Sequence, residues 1–331
     1  MATHLVYISP GHMDPTYEIE RAGLGPDVEL RVMSNPDRGD MDGAETREAD
    51  AIITWRTHIK MAAVDQLERC RVIVRMGVGY DIVDVDAAKR RGIPVCNVPD
   101  YCTDEVADHT MALLLTLSRG LMAYREAVHA GNQAWERPSA APLYRLTGRT
   151  LGIVGLGRIG TAVALRAKAF GMRVVFCDPY VPEGADRALG LTRLSLDELL
   201  AASDAVTLHT PLTDATRNMA SNDFFAKIKP GAFVVNTSRG GVMDMAALEA
   251  ALRDGRVSAA GLDVMPTEPP DPELPLIKAW RAGEEWVRDR LVLTPHAAFY
   301  SEESERDMRM KAAATVRAVL GGGPAQNRVN P

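Results

Sequence analysis

The segment Gly155-Leu-Gly-Arg-Ile-Gly160 constrains the fold of this 331-residue chain more than any other six residues. A lone G-x-G-x-x-G is weak, because glycine-rich turns are common, but here the flanks agree with it. The run 151–154 ahead of it reads as a buried strand, and residues 158–170 behind it read as a helix. In a strand–turn–helix, the first glycine permits the tight turn and the second lets backbone approach a pyrophosphate. The third lets helix pack on strand. The turn Gly155, Gly157, Arg158, Ile159 and Gly160 would then offer the unbonded N–H groups of a helix N-terminus to phosphate. A second strand ends at Asp178, 23 residues after Gly155. A carboxylate there accepts from both adenine-ribose hydroxyls and repels a 2′-phosphate, so the pattern favours NAD over NADP.

Around this signature the chain alternates short apolar runs with amphipathic stretches. Strands are expected at 5–8, 28–33, 51–54, 71–74 and 94–99, with helices at 61–69 and 84–91. A longer helical pattern starts near Thr103 as its cap and carries apolar residues at helical spacing through Leu121. Gly131 and Pro138 lie in the loop after it. A second series of strands follows at 151–154, 174–177, 205–209, 233–236, 259–264 and 291–294. Ser195-Leu-Asp-Glu198 is a capping box inside it. A last helix is expected at 302–320. Strands that are apolar throughout and alternate with helices belong in parallel sheets covered on both faces. The stretch 269–290 opens Pro-rich and carries Trp280 and Trp286 among charges. It reads equally as a surface insertion or as a subunit contact.

Length sets a soft prior of about two domains of roughly 150 residues. The net charge, 38 Lys+Arg against 44 Asp+Glu, is −6. Such a chain has no general attraction for nucleic acid or anionic membrane. Its longest apolar stretch, 111–117, falls far short of the ~18 residues a spanning helix needs, and no signal peptide is visible. The four cysteines, Cys70, Cys96, Cys102 and Cys177, form no C-x-x-C and sit beside no His at metal-ligand spacing. Reduced thiols, no metal and a cytoplasmic setting are expected.

Three strands of the second series end on polar groups, where open parallel sheets bind ligands. They lead to Arg239, to Asp263 and Glu268, and to His296. Arginine, glutamate and histidine suit the reduction of a 2-oxo acid. A guanidinium fork holds a carboxylate and polarises a carbonyl. A histidine gives the proton, and a neighbouring carboxylate favours its charged form.

Five segments together resemble the D-2-hydroxyacid dehydrogenase family, in order and over nearly the whole chain. They are Gly77-Val-Gly-Tyr-Asp81, the Gly155 fingerprint, Asn236-Thr-Ser-Arg-Gly240, Leu262-Asp-Val264 through Glu268, and Thr294-Pro-His296. The segments 71–81 and 296–302 are closer still to the carboxy-terminal binding protein branch. The resemblance implies two doubly wound parallel-sheet domains. Residues 1–103 plus 297–331 would form a flavodoxin-like substrate domain, and 104–296 an inserted Rossmann NAD-binding domain. It also implies roles by position. Arg239 binds and polarises substrate, Glu268 supports the histidine, and His296 is the acid/base. Val78 and Gly79 give backbone N–H groups to the carboxylate, with Arg75 as a second anion contact. Phe299 lies against the substrate, where the branch's best-known members carry Trp. Asp263 holds the nicotinamide amide, and Thr210, Pro211, Thr216, Thr237 and Ser238 line the cofactor together with Arg239 and His296. A homodimer is implied as well.

Two functions compete on this reading. One is an NAD-dependent oxidoreductase moving hydride between nicotinamide and C2 of a small 2-oxo acid or D-2-hydroxy acid. The other is an NAD(H)-responsive interaction or corepressor protein like some of the branch's members. The remaining histidines read blandly. His109 and His129 are surface or structural, His4, His12 and His58 have no partner pattern, and His209 only lines the cofactor region. Arg306, Arg309 and Lys311 read as a solvated helix face.

Overall fold

A computed structural model describes residues 3–11, 14–131 and 143–331; His12 and Pro138 lie outside the described residues. The chain divides into two compact units, Met1–Cys102 with Tyr300–Pro331, and Thr103–Phe299.

The first unit begins with strands β1 (His4–Ile8), β2 (Val28–Val32), β3 (Ala51–Thr54), β4 (Val72–Arg75) and β5 (Val95–Asn97). Between them lie helices α1 (Glu18–Leu24), α2 (Met61–Val64) and α3 (Val85–Arg90). All strand pairs are parallel, in the order β2-β1-β3-β4-β5. That is the flavodoxin-like order. The sheet core is β-branched and fully buried, as Ile52, Ile53, Ile73 and Val74 illustrate. Such residues pack well on a pleated surface. Asp84 caps α3 by accepting from Ala87 N at 2.8 Å.

The second unit runs from α4 (Thr103–Ser118) and α5 (Leu121–His129) through β6 (Thr150–Val154), α6 (Arg158–Ala169), β7 (Arg173–Cys177), α7 (Ala185–Leu189), β8 (Thr192–Arg193), α8 (Leu196–Ala202) and β9 (Ala205–Leu208). It continues with α9 (Asn222–Lys227), β10 (Ala232–Asn236), α10 (Met245–Arg253), β11 (Val257–Leu262), α11 (Pro275–Arg281) and β12 (Leu291–Leu293). Its seven strands pair in parallel as β12-β11-β10-β9-β6-β7-β8. Counted from β6, that is 3-2-1-4-5-6 with one more strand, the doubly wound dinucleotide-binding order. The chain then returns to the first unit as α12 (Glu302–Leu320), opened by Ser301, which accepts from Ser304 N.

Several sequence expectations are displaced. The helix expected over 61–69 stops at Val64. The helical pattern from 103 to 121 is two helices, because Gly120 adopts a left-handed conformation at φ 61° and starts a new axis at Leu121. Thr103 is the first helical residue and not the cap. The stretch 269–290 is not simply a surface insertion. It contains α11, whose Leu276 and Ile277 are buried in the core of the second unit, and Trp280 donates its indole N–H to Leu291 O at 3.0 Å. Arg309 is not on a solvated face. It is 3% exposed and donates to both oxygens of Glu20, on α1, at 2.6 and 2.7 Å. A charge pattern read along one helix cannot reveal a partner almost 300 residues earlier.

The return to the first unit follows Phe299, three residues past the expected crossing at 296. Ala297 N and Ala298 N both donate to the Asp263 carboxylate, at 2.9 and 3.0 Å, and so hold this stretch to the second unit.

Candidate active site

The glycine turn has the geometry a pyrophosphate requires. Gly155 has φ 93°, and a Cβ there would lie 2.8 Å from His209 O. A Cβ on Gly160 would lie 2.2 Å from Gly155 O, so α6 touches the turn only because that residue has no side chain. A Cβ on Gly157, by contrast, would meet no atom within 4 Å beyond its own chain neighbours. The space faces the N-terminus of α6, whose first N–H groups have no intrahelical acceptor. Across the turn, Thr210 Oγ1 is buried and has no partner among the described residues. A buried hydroxyl is costly to leave unpaired, so this orphan fits a bound polar ligand. The residues present thus suit a dinucleotide.

Asp178 directly follows β7. Its Oδ2 accepts from Leu156 N and its Oδ1 from Tyr180 N, both at 2.8 Å. Each oxygen keeps a lone pair for a further donor, and the two backbone bonds fix the carboxylate beside the glycine turn. Thr216 braces the Pro211 loop by donating to Pro211 O at 2.6 Å. His209 bonds Thr207 Oγ1 at 3.0 Å, and burial pushes its pKa down to about 3, so its ring is neutral at pH 7.

The polar strand ends of β10, β11 and β12 lie side by side. Asn236 organises the first. Its Oδ1 accepts from Ser238 N and Oγ, and its Nδ2 donates to Arg239 O at 3.0 Å. Arg239 donates from Nη1 to Ser238 O at 2.8 Å. Next in the chain, Gly240 could carry no Cβ, since it would fall 1.9 Å from Met265 C. The Arg239 loop therefore rests directly on the Met265–Pro266 backbone that leads to Glu268. Glu268 in turn accepts from Met265 N at 3.2 Å with Oε1, and its Oε2 lies 2.8 Å from His296 Nδ1.

His296 has φ 54°, the left-handed region that a non-glycine residue adopts only when its surroundings impose it. Its N–H donates to Asp263 O at 2.7 Å. The Asp263 side chain, in a residue 2% exposed, accepts from Thr294 Oγ1 at 2.6 Å as well as from Ala297 and Ala298. The loop is wrapped around this one carboxylate. Phe299 sits edge-on to the histidine ring, centroids 6.3 Å apart.

Within the first unit, Arg75 ends β4 and leans over the following turn, with Nη1 1.4 Å from where a Cβ of Gly77 would stand. The turn is pinned by Asn97 Nδ2 donating to Val78 O at 2.6 Å and by Val98 N donating to Gly77 O at 3.1 Å. With the carbonyls tied back, the N–H groups of Val78 and Gly79 appear in no hydrogen bond among the described residues. Arg75, Val78 and Gly79 thus gather at one strand end. Asn236, Gly240 and Asn97 went unassigned in the sequence. Asn236 and Gly240 lie inside a recognised motif, but their roles depend on contacts no spacing reveals.

Residues 111–298 match the model of the D-isomer specific 2-hydroxyacid dehydrogenase NAD-binding domain. The chain belongs to this family. It is 38% identical over 310 residues to D-3-phosphoglycerate dehydrogenase of Mycobacterium bovis, covering 93% of this chain and 56% of that protein. It thus spans about half the length of the curated relatives it matches. Among solved structures it is similar to D-lactate dehydrogenase from Aquifex aeolicus complexed with NAD and lactic acid, at TM-score 0.84 and 30% identity over 99% of both chains. It is equally similar, at TM-score 0.84 and 30% identity, to the NADPH-dependent glyoxylate/hydroxypyruvate reductase of Sinorhizobium meliloti, covering 99% of this chain and 97% of that one. These relatives are named dehydrogenases and reductases, and none of the three is named for the carboxy-terminal binding protein branch. The family's NAD-binding domain occupies the second unit, and NAD is the cofactor it binds. No helix among the described residues is long and apolar enough to cross a membrane.

Proposed function

We propose that this protein is an NAD-dependent oxidoreductase that interconverts a small 2-oxo acid and the D-2-hydroxy acid. The observation that carries the reading is the 2.8 Å pair of His296 Nδ1 and Glu268, next to the Arg239 loop at the carboxyl edge of a dinucleotide-binding sheet. Bound NAD supplies or accepts the hydride at C2. The chain's own groups do the rest. Glu268 fixes the ring and engages Nδ1, so Nε2 is left to exchange the proton with the C2 oxygen. In reduction that proton passes from Nε2 to the carbonyl oxygen. Arg239 holds the carboxylate and stabilises negative charge gathering on the oxygen. Phe299 bounds the space beside the histidine.

Purified protein should oxidise NADH in the presence of one member of a panel of pyruvate, glyoxylate, hydroxypyruvate and 3-phosphohydroxypyruvate. The panel follows the names of the relatives. Arg239→Ala should lose about 10²–10³-fold in kcat, as removal of a group stabilising transition-state charge does. Full turnover by Arg239→Ala would refute its assigned role. Parallel assays with NADPH test cofactor choice, where Asp178 should disfavour the phosphorylated form.

The interaction reading has less to support it, since the Arg, Glu and His set is complete. Strong NADH binding with no turnover across the panel would restore it. We also propose a homodimer. The helix α5 buries none of its nine residues, and Leu121 and Val128 are 50% and 54% exposed. A helix that short needs tertiary burial to be stable. Sedimentation at twice the chain mass is the expected result.

A further inference from the structure

Two consecutive residues of α4, His109 and Thr110, reach the two loops that carry Arg239 and His296. His109 Nε2 lies 3.0 Å from Thr294 Oγ1, and Thr294 Oγ1 donates to Asp263 Oδ1 at 2.6 Å. A hydroxyl has one proton. Thr294 spends it on Asp263, so it accepts from His109, and Nε2 of His109 carries a hydrogen. The chain of bonds runs His109 to Thr294 to Asp263, and Asp263 holds the N–H groups of His296, Ala297 and Ala298. Thr110 repeats the logic. Its hydroxyl donates to Val106 O at 2.7 Å, so across the 2.8 Å contact with Thr237 Oγ1 it is the acceptor. Thr237 stands two residues before Arg239, and both threonines are buried.

The placement follows from the fold. The loops after β10 and β12 flank the end of β11, two strand spacings or roughly 10 Å apart. Consecutive helix residues diverge by about 100°, so one turn of α4 laid across the sheet can touch both. Gly261 of β11 lets it lie close, since a Cβ there would stand 3.0 Å from Leu113.

We propose that His109 and Thr110 are positioning residues that set His296 and Arg239 in register with each other. This rests on the reading of Arg239 and His296 as the reacting groups. It goes beyond that reading by assigning their alignment to two side chains of α4 that act through Thr294 and Thr237. The hydrogen bonds, and not the bulk of the side chains, carry the effect, so the conservative variants separate this role from simple packing. His109→Gln retains an N–H donor at reach, and Thr110→Ser retains the hydroxyl.

The test compares wild type, His109→Leu, His109→Gln, Thr110→Val and Thr110→Ser. His109→Leu and Thr110→Val should each lower kcat about 10–100-fold, the scale set by small misplacements of reacting groups. KM for NADH and the thermal midpoint should stay near wild type. His109→Gln and Thr110→Ser should recover to within about 3-fold of wild type. A second readout needs no turnover. The downfield proton NMR signal of His296 Nδ1–H, assigned by its loss in His296→Ala, should shift or broaden in His109→Leu and return in His109→Gln. Wild-type kcat in His109→Leu, or His109→Gln as impaired as His109→Leu, overturns the proposal. If the wild type turns over no substrate, the oxidoreductase reading fails by itself. The NMR comparison then decides, and an unchanged His296 signal in His109→Leu overturns the brace.

Discussion

Two side-chain pairs, each with a glutamate, have nearly equal length and opposite surroundings. Arg309 meets Glu20 at 2.6 Å, and His296 meets Glu268 at 2.8 Å. The Arg309 and Glu20 side chains are 4% and 0% exposed, and Arg309 also donates to Asp14 at 2.9 Å. The His296 and Glu268 side chains are 33% and 19% exposed. The first pair joins α1 to α12 with bidentate geometry, so each charge is compensated within the protein. The second holds one ring nitrogen and leaves the other open to a ligand, on a residue whose backbone is in a strained region. A fully satisfied buried pair fixes where chain segments meet. A partly exposed pair on a strained loop can change its bonding during a reaction cycle.

Substitutions at the two pairs should separate cleanly. His296→Ala has the largest expected effect, a kcat loss of about 10²–10⁴-fold from removal of the acid/base. The midpoint of urea unfolding should barely move, because the side chain is 33% exposed and the backbone N–H bonds that hold the loop to Asp263 remain. Arg309→Ala should do the reverse. It leaves Glu20 buried without its partner and should cost about 3–5 kcal/mol of stability. The turnover of the protein that remains folded should be unchanged, as measured by kcat per active site titrated with NADH. Glu268→Gln lies between, with kcat expected to fall about 10–100-fold as the ring loses the carboxylate that orients it. If His296→Ala unfolds the protein, or Arg309→Ala slows the folded fraction, the division between the pairs collapses.

How far the sequence revealed each pair follows from the distance over which its signal acts. The Gly155 turn, Asp178, and the polar residues ending β10, β11 and β12 are local features, since a parallel sheet always delivers its strand ends to one edge. They can be named from spacing and motif. The Arg309–Glu20 pair joins residues 289 positions apart, and the periodicity of α12 carries no trace of it. His109 is the instructive middle case. Its place on α4 was legible, but its partner Thr294 is 185 residues away, so the sequence leaves it looking like any helix-surface histidine. The division of α4 from α5 was missed for a different reason. Apolar spacing continues through Leu121, and only the conformation of Gly120 shows that the axis changes there.

Acid sharpens the contrast further. His209 is neutral in the folded protein, with burial as the cause and a pKa of about 3. Its folded value is depressed below the ordinary 6.5. Between about pH 6.5 and 3 the unfolded chain therefore binds a proton that the folded protein does not, and stability falls as pH falls. Asp14 acts in the same direction at lower pH. Its hydrogen bonds from Thr16 and Arg309 hold its carboxyl below the usual range. Its contribution is present above about pH 4 and is lost as pH drops through the lowered value. His209→Gln should flatten the stability profile between about pH 6.5 and 3, measured as urea midpoints across that range. An unchanged slope would mean that the ring is not desolvated.

The smallest expected effect is the most discriminating. If the Arg309–Glu20 pair only fixes where α12 docks, replacing both members with apolar groups should restore what either single substitution loses. In Arg309→Met with Glu20→Leu the fully buried pair is gone, and Asp14 and Glu305, whose side chains are 33% and 16% exposed, can turn to water. Exchanges of this kind are commonly neutral or stabilising by about 1–4 kcal/mol. The double variant should therefore unfold at or above the wild-type urea midpoint, while each single variant unfolds well below it. No such rescue is available at the other pair, because a methionine in place of His296 leaves no proton to give. A double variant as unstable as Arg309→Ala would mean that the ion pair specifies the docking geometry and does not merely neutralise itself.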